Sequence, residues 1–303
     1  MGAKKLKILI LGANGFVGRR VLKRLAVSDK YEILACSRGL DISPKTGYRF
    51  AQVDMADATM LQSILQDFLP NVIINAAALS VVDYCETHQQ EAIALNTTAV
   101  KQLATWCEEH DCRLLHLSTD FVFDGKKSTL YVEEDEAHAV NFYGTTKLWA
   151  EEAVKTLCKN YAILRIEVVY GKPMPGQHGN IVELVRQRLA QQQLFKAAAD
   201  QWRTPTWVGD VVTAVETLVE NPACGTYHVA GAEVLTIAEL AKRVAQFFGF
   251  DDSLIEAQTT AGLAEATPRP RYTPLDCSKA HRDWGYNPTK LEVALQEWLE
   301  GDD

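Results

Sequence analysis

The chain is poor in the features that would place it in several large classes. No stretch approaches the ~20 consecutive apolar residues of a membrane-spanning helix. The segment Met1-Gly2-Ala3-Lys4-Lys5-Leu6 leads directly into a strand-like run without the apolar core of a signal peptide. No membrane partner is expected, and the expected location is the cytoplasm. Cysteine is sparse and odd in number, seven residues at 36, 85, 107, 112, 158, 224 and 277, with no Cys-x-x-Cys and no histidine beside them in ligand spacing. That pattern excludes a disulfide framework and leaves reduced, structural thiols. Basic charge is outnumbered, with 31 Lys and Arg against 39 Asp and Glu and a net charge of −8. Nucleic acid is therefore not an expected partner, because a phosphate backbone needs a basic surface. An anionic small molecule would need a local basic pocket. Tandem repeats and low-complexity segments are also missing.

What is present fits a globular α/β protein. Of 303 residues, 47% are apolar and 23% charged, enough for one large or two closely joined domains. Through the first half, apolar runs alternate with amphipathic stretches, the pattern of a doubly wound parallel sheet with helices on both faces. Strands are predicted at Lys7–Leu11, Glu32–Cys36, Arg49–Val53, Val72–Ala76, Arg113–Leu117 and Ala162–Tyr170. Helices are predicted at Arg19–Val27, Met60–Phe68, Gln89–Glu109 and Tyr143–Leu157. From about Gly171 the composition loosens, with a loop at Lys172-Pro173-Met174-Pro175-Gly176. Residues 1–170 are thus expected to form a dinucleotide-binding domain, and 171–303 a smaller α/β substrate-binding region. Within the latter, about 205–230 is expected to pack back on the first domain, with a helix over Trp207–Glu220 and a strand over Thr226–Val229. Further helices are predicted at Ile237–Phe248 and Leu291–Leu299.

Three local patterns carry chemistry. Gly12-Ala13-Asn14-Gly15-Phe16-Val17-Gly18 lies between an apolar strand and a helix. Glycines there permit a tight turn and close backbone approach, while the helix N-terminus offers N–H groups to a pyrophosphate. The second strand ends Ala35-Cys36-Ser37-Arg38, with a hydroxyl and a guanidinium where NAD-preferring folds carry an acid. That favours NADPH and leaves NADH open. Asp54, with Met55 after it, is a candidate for the adenine end. The second pattern is Ser118-Thr119 at a strand's carboxyl end, where such sheets place ligands. Neighbouring strand residues point to opposite faces, so one of the two faces the site, and Thr119 is the candidate. The third is Tyr143-x-x-x-Lys147. Four residues apart on a helix, an ammonium can sit beside a phenol and favour its ionised form, making Tyr143 a proton donor for carbonyl reduction with Thr119 holding the same oxygen.

With these in view, the chain resembles the extended short-chain dehydrogenase/reductase family and, within it, the dTDP-4-dehydrorhamnose reductases. The likeness runs through Gly12–Gly18, Pro70–Ala78 with Asp83, Asn96, Ser118–Gly125, Asn141–Lys147, Leu164-Arg165 with Val169-Tyr170-Gly171, Asp200-Gln201, Pro205-Thr206, Arg269-Pro270 and Leu275–Lys279. No glutamate follows Thr119-Asp120, which separates the chain from the related 4,6-dehydratases.

The resemblance implies a Rossmann-type fold and a nucleotide-sugar substrate whose 4-keto group is reduced with NADPH. It implies Thr119, Tyr143 and Lys147 as the catalytic trio. Gly12, Asn14, Gly15, Phe16, Val17 and Gly18 would hold the cofactor's pyrophosphate side, and Ala76, Ala77 and Ala78 its nicotinamide side. Asn96 would either support a proton-relay water or bond only to backbone. Asp120, Asn180, Gln201 and Arg269 would surround the sugar and diphosphate. Arg19 and Arg20 stand where some members carry an acidic metal-binding residue, so no structural metal is expected, and a homodimer through other helices is compatible. Val168 replaces a frequent tryptophan, which leaves the sugar open. A second reading follows from a similar relative, the regulatory subunit of methionine adenosyltransferase, which binds without turnover. A reductase or epimerase of another nucleotide sugar is the third.

Overall fold

The computed structural model describes residues 4–43, 46–177 and 179–301. The chain divides into two compact units, each assembled from three segments. Unit 1 is Met1–Ser118, Phe142–Leu164 and Val212–Tyr227, and unit 2 is Thr119–Asn141, Arg165–Val211 and His228–Asp303.

The apolar runs of unit 1 become strands because they are buried on both faces of a sheet. In order come β1 (Leu6–Leu11), α1 (Gly18–Ala26), β2 (Tyr31–Ser37), β3 (Arg49–Gln52), α2 (Ala58–Phe68) and β4 (Val72–Asn75). Asp57 starts α2 by accepting the Thr59 and Met60 N–H groups, both at 3.0 Å. Then follow α3 (Val82–Thr87), α4 (Gln89–Ile93), a π-helical turn (Ala94–Thr98), α5 (Ala99–Glu109), β5 (Arg113–Thr119), α6 (Phe142–Leu157) and β6 (Tyr161–Ile166). A helix over Val208–Glu220 precedes the edge strand Gly225–Val229. The sheet has seven strands in the order Gly225–Val229, β6, β5, β4, β1, β2, β3. The pairings from β5 across to β3 are all parallel. This is the doubly wound arrangement, with its switch point between β1 and β4. One face carries a core of Leu9, Leu11, Ile73, Leu65, Leu103, Leu114 and Val154.

Two predicted elements differ from those observed. The helix predicted over Gln89–Glu109 is interrupted by the π turn, whose extra residue lets Asn96 reach sideways to the chain after β4. The strand predicted over Ala162–Tyr170 is broken after Ile166. Val168 takes a φ of +40° there, a region that β-branched residues rarely enter. Val169–Tyr170 then pairs separately with Thr206–Trp207.

Unit 2 gathers a second core around Tyr170, Val185, Leu189, Leu240, Val244 and Trp298. These come largely from helices Ile181–Ala190, Ile237–Phe247 and Leu291–Glu300. Strand Phe195–Ala198 pairs in parallel with Ile255–Gln258. Helix Ile237–Phe247 opens with a capping box between Thr236 and Glu239. Among the described residues no helix is long and apolar enough to cross a membrane.

Candidate functional site

At the carboxyl ends of β1, β2 and β4, unit 1 opens into a groove at the switch point of the sheet. Its floor is the turn after β1. Gly12 has a φ of +79°, and a Cβ there would lie 2.7 Å from the Ala77 nitrogen. At Gly18 a Cβ would fall 2.2 Å from the Gly12 carbonyl oxygen. The turn therefore packs backbone to backbone, against itself and against the exit of β4, and only glycine fits. Asn14 secures the turn by donating to the Leu40 carbonyl at 2.7 Å, and the Phe16 ring lies 4.6 Å from the Arg20 guanidinium. Val17 caps α1 with no side-chain hydrogen bond; in the first turn the Gly15 carbonyl accepts the Arg19 N–H at 3.1 Å and the Val17 carbonyl accepts the Arg20 N–H at 3.0 Å. Ser37, Arg38, Asp54, Met55, Ala76, Ala77 and Ala78 line the walls. Asp54 also accepts the Ala56 N–H at 3.0 Å. Small side chains, main-chain amides and one guanidinium suit a flat dinucleotide bearing phosphates.

Packed on the carboxyl-terminal half of β5, α6 carries Tyr143 and Lys147. Glu86 accepts the Phe142 N–H at 2.6 Å and so holds the start of this helix. Tyr143 is half-buried, but Lys147 is only 1% exposed. The Lys147 amine donates to the Leu117 carbonyl at 2.7 Å and lies 3.1 Å from Nε2 of His116. Burial pushes its pKa down to about 8, with Glu151 pulling the other way. His116 is buried as well, and desolvation, aided by Lys147, holds it well below its usual range. Two residues on in β5, Ser118 faces the same helix and donates to Glu151 at 2.7 Å. Asn96 is fully committed: it accepts from the Leu79 N–H at 2.8 Å and donates to the Leu79 carbonyl at 3.0 Å and to Thr146 at 3.1 Å. The π turn thus ties the chain after β4 to α6.

The family model for the RmlD substrate binding domain matches residues 6–302. The chain belongs to this family. The dTDP-4-dehydrorhamnose reductase of Aggregatibacter actinomycetemcomitans is 33% identical over 302 residues, covering 96% of this chain and 97% of its own. The methionine adenosyltransferase 2 subunit beta of Xenopus laevis is 32% identical over 298 residues, covering 97% of this chain and 87% of its own. The crystal structure of dTDP-4-dehydrorhamnose reductase from Bacillus anthracis in complex with NADP aligns with a TM-score of 0.88 at 24% identity, over 98% of this chain and 99% of that one. That last likeness concerns the fold.

Unit 2 of this RmlD-family chain contains the residues expected around a sugar and diphosphate, in three separate settings. Thr119 accepts the Phe121 N–H and donates to Asp120, both at 3.2 Å. Asp120 belongs to a buried cluster: its other oxygen accepts from Thr273 at 2.7 Å and lies 3.5 Å from Nε of Arg203. Glu167 lies 3.7 Å from the same nitrogen and accepts the Thr204 N–H at 2.8 Å and the Thr204 hydroxyl. Two carboxyls thus share one guanidinium. Burial raises both, Glu167 further because Asp120 faces it. In the second setting, Glu265 bridges two candidates, accepting from Gln201 at 2.9 Å and lying 3.5 Å from Nε of Arg269. In the third, Asn180 caps helix Ile181–Ala190 through the Val182 and Glu183 N–H groups and donates to the Gly171 carbonyl at 2.6 Å. Among the described residues no group of three or more His, Cys, Asp or Glu side chains is placed to hold a metal ion.

Sequence reasoning overlooked Asn75, His116, Glu151, Glu167 and Arg203. A signal existed for the first two: each is a polar side chain at the end of an apolar run, Val72-Ile73-Ile74-Asn75 and Leu114-Leu115-His116. A buried polar group at a strand's ligand end needs a partner, and the partner defines the site.

Proposed function

We propose that this chain is an NADPH-dependent reductase of a 4-keto-6-deoxy nucleotide sugar, with dTDP-4-dehydrorhamnose as its substrate and dTDP-rhamnose as its product. The observation that carries the reading is Lys147. Had Tyr-x-x-x-Lys been ordinary helix surface, its amine would be solvated; instead it is buried one helical turn from Tyr143 and bonded to the Leu117 carbonyl near the carboxyl end of β5. A buried, perturbed lysine in such a place is a functional signal. The 33% identical relative named dTDP-4-dehydrorhamnose reductase supports the substrate class.

In this reading the turn Gly12–Gly18 holds the pyrophosphate, Ser37 and Arg38 hold the 2′-phosphate, and Ala76, Ala77 and Ala78 border the nicotinamide. When bound, NADPH supplies the hydride. Tyr143 gives its phenolic proton to the substrate oxygen, and Thr119 holds that oxygen by hydrogen bond. Lys147, charged, favours the phenolate left behind. Unit 1 carries the cofactor, and Arg269, Gln201 and Asp120 of unit 2 serve the diphosphate and sugar. The test is NADPH oxidation followed by absorbance with dTDP-4-dehydrorhamnose. Wild type should turn over and Tyr143→Phe should lose about 10²–10⁴-fold, the usual share of a general acid. A wild type inert with this and other 4-keto-6-deoxy nucleotide sugars would sink the proposal.

The similarity to methionine adenosyltransferase 2 subunit beta favours one second reading, a nucleotide-binding regulatory subunit. Stable capture of a synthetase subunit, together with no reductase turnover, would select it.

A further inference from the structure

Hydrogen-bond bookkeeping around His116 restricts the state of Lys147. Asn75 is oriented by its neighbour: its Oδ1 accepts the Ala77 N–H at 3.1 Å. Its amide nitrogen is therefore the atom that faces Nδ1 of His116, at 3.1 Å. An amide nitrogen only donates, so Nδ1 is an acceptor and carries no hydrogen. A neutral imidazole then has its proton on Nε2. Nε2 lies 3.1 Å from the Lys147 nitrogen. An ammonium has three donors and no lone pair, so it would meet Nε2–H donor to donor, whereas a neutral amine can accept. Reversing the Asn75 amide to rescue the other tautomer would turn its NH₂ against the Ala77 N–H. Nor does an imidazolium help, since it places hydrogens on both nitrogens in a fully buried ring.

The ionisable groups acting on this centre are His116 from β5 and Glu151 from α6, with Tyr143 one turn before Lys147 on the same helix. Glu151 is buried and favours a charged Lys147, but its oxygens are engaged by the Ser118 hydroxyl at 2.7 Å and by Lys155 at 3.2 Å. From β4 comes Asn75, which does not titrate. The π turn, packed on α6 through Asn96 and Thr97, contributes no ionisable side chain.

We propose that His116 is a positioning residue for Lys147: Asn75 locks its Nε2–H tautomer, and that N–H disfavours the ammonium form, so that the lysine loses its proton at a lower pH than an ordinary one in the ligand-free protein. Its link to turnover rests on the function proposed above; the tautomer and the charge do not. The ammonium is favoured again, and the titration moves back up, when something compensates the donor clash, such as negative charge arriving in the groove or forming on Tyr143. His116 therefore sets where on the pH scale the Tyr143–Lys147 pair becomes competent.

The test is nitrogen NMR of the full-length, ligand-free protein labelled in histidine and lysine, with Lys147→Met to assign the amine and His116→Gln to assign the ring. The expected wild-type result is a neutral His116 protonated on Nε2 between pH 6 and 9, with Lys147 titrating at least about one pH unit below the other lysines. In His116→Gln the amide oxygen can accept from the ammonium, so the Lys147 titration should rise by about one unit or more. Asn75→Asp demands a donor at Nδ1 and should move the proton there, with a similar upward shift while His116 remains. An Nδ1–H ring or an imidazolium in wild type would overturn the proposal, even if neither variant folds. So would a Lys147 titration unchanged in both variants. Because no substrate is involved, a protein that passes this test yet never oxidises NADPH defeats the proposed reaction and leaves this inference standing.

Discussion

With its amine removed from water, Lys147 favours the uncharged form in the folded chain, its pKa falling from 10.5 to about 8. The sign of the linkage follows: the folded state binds fewer protons than the unfolded one between those values, so the destabilisation is complete below about 8 and is relieved as pH rises toward 10.5. A shift of that size corresponds to about 3 kcal/mol, from which the cost of leaving the Leu117 carbonyl without its donor, about 1–2 kcal/mol, must be subtracted. Lys147→Met should therefore raise the urea-unfolding free energy at pH 7 by about 1–2 kcal/mol, with the gain disappearing near pH 10. It should also abolish NADPH oxidation. A variant that is destabilised at pH 7 would show that the buried amine is structurally favourable after all. The Asp120–Glu167–Arg203 cluster runs by the same logic. Both carboxyls are raised, so the proton they retain contributes stability that is full below the ordinary carboxylate range and lost as pH climbs through the raised values. Glu167→Gln should flatten that decline and leave the protein at least as stable as wild type at pH 8. Arg203→Met leaves two buried carboxyls uncompensated and should cost about 3–5 kcal/mol at pH 8 and less at pH 5. Chemical denaturation at the two pH values separates these outcomes.

The turn joining β1 to α1 is the element on which the groove depends. At Gly15 a Cβ would meet the Gly12 carbonyl oxygen at 3.0 Å, a contact a small shift can relieve; at Gly18 the distance to the same oxygen is 2.2 Å, and the Gly12 carbonyl carbon follows at 2.9 Å. Gly18→Ala should thus cost about 1–3 kcal/mol of stability, as overpacking does. It should also weaken NADPH binding at least tenfold in a calorimetric titration, with Gly15→Ala much milder. Equal effects at the two positions would mean that the turn opens as a whole. This turn was legible in the sequence because glycine spacing and flanking apolar runs are local signals, and so were β1, β2, β4 and β5, whose residues are buried almost throughout. Less local features were not. The π turn at Ala94–Thr98 interrupts an apolar periodicity that reads as unbroken helix, and its cause, Asn96 bonding to Leu79 and Thr146, lies 17 and 50 residues away. Strands Phe195–Ala198 and Ile255–Gln258 are four residues each, too short for a pattern to stand out, so their mutual pairing identifies them. The buried charged side chains are hidden for the same reason: nothing local marks Arg203, and its partners Asp120 and Glu167 lie 83 and 36 residues earlier in the sequence.

Across the whole molecule, ligand binding can be read as stability without any turnover. A net charge of −8 is unfavourable for a polyanionic cofactor, so affinity must come from local donors, and at the groove wall that donor is Arg38. A ligand at one hundred times its Kd stabilises the folded state by about 2.7 kcal/mol. For a chain of this size that corresponds to a rise in Tm of about 4–8 °C. Saturating NADPH should produce such a shift, and NADH at the same concentration a smaller one, because the extra phosphate has a guanidinium to meet. Arg38→Ala should bring the NADPH shift down to the NADH value and leave the NADH shift unchanged. Identical shifts with both cofactors in wild type would remove Arg38 from the recognition of the 2′-phosphate. The reductase and the regulatory-subunit readings share this first response. They part when dTDP-4-dehydrorhamnose is added to the NADPH-bound protein: a reductase consumes the absorbance at a rate that Tyr143→Phe removes, while a subunit that only binds keeps both its cofactor and its raised Tm.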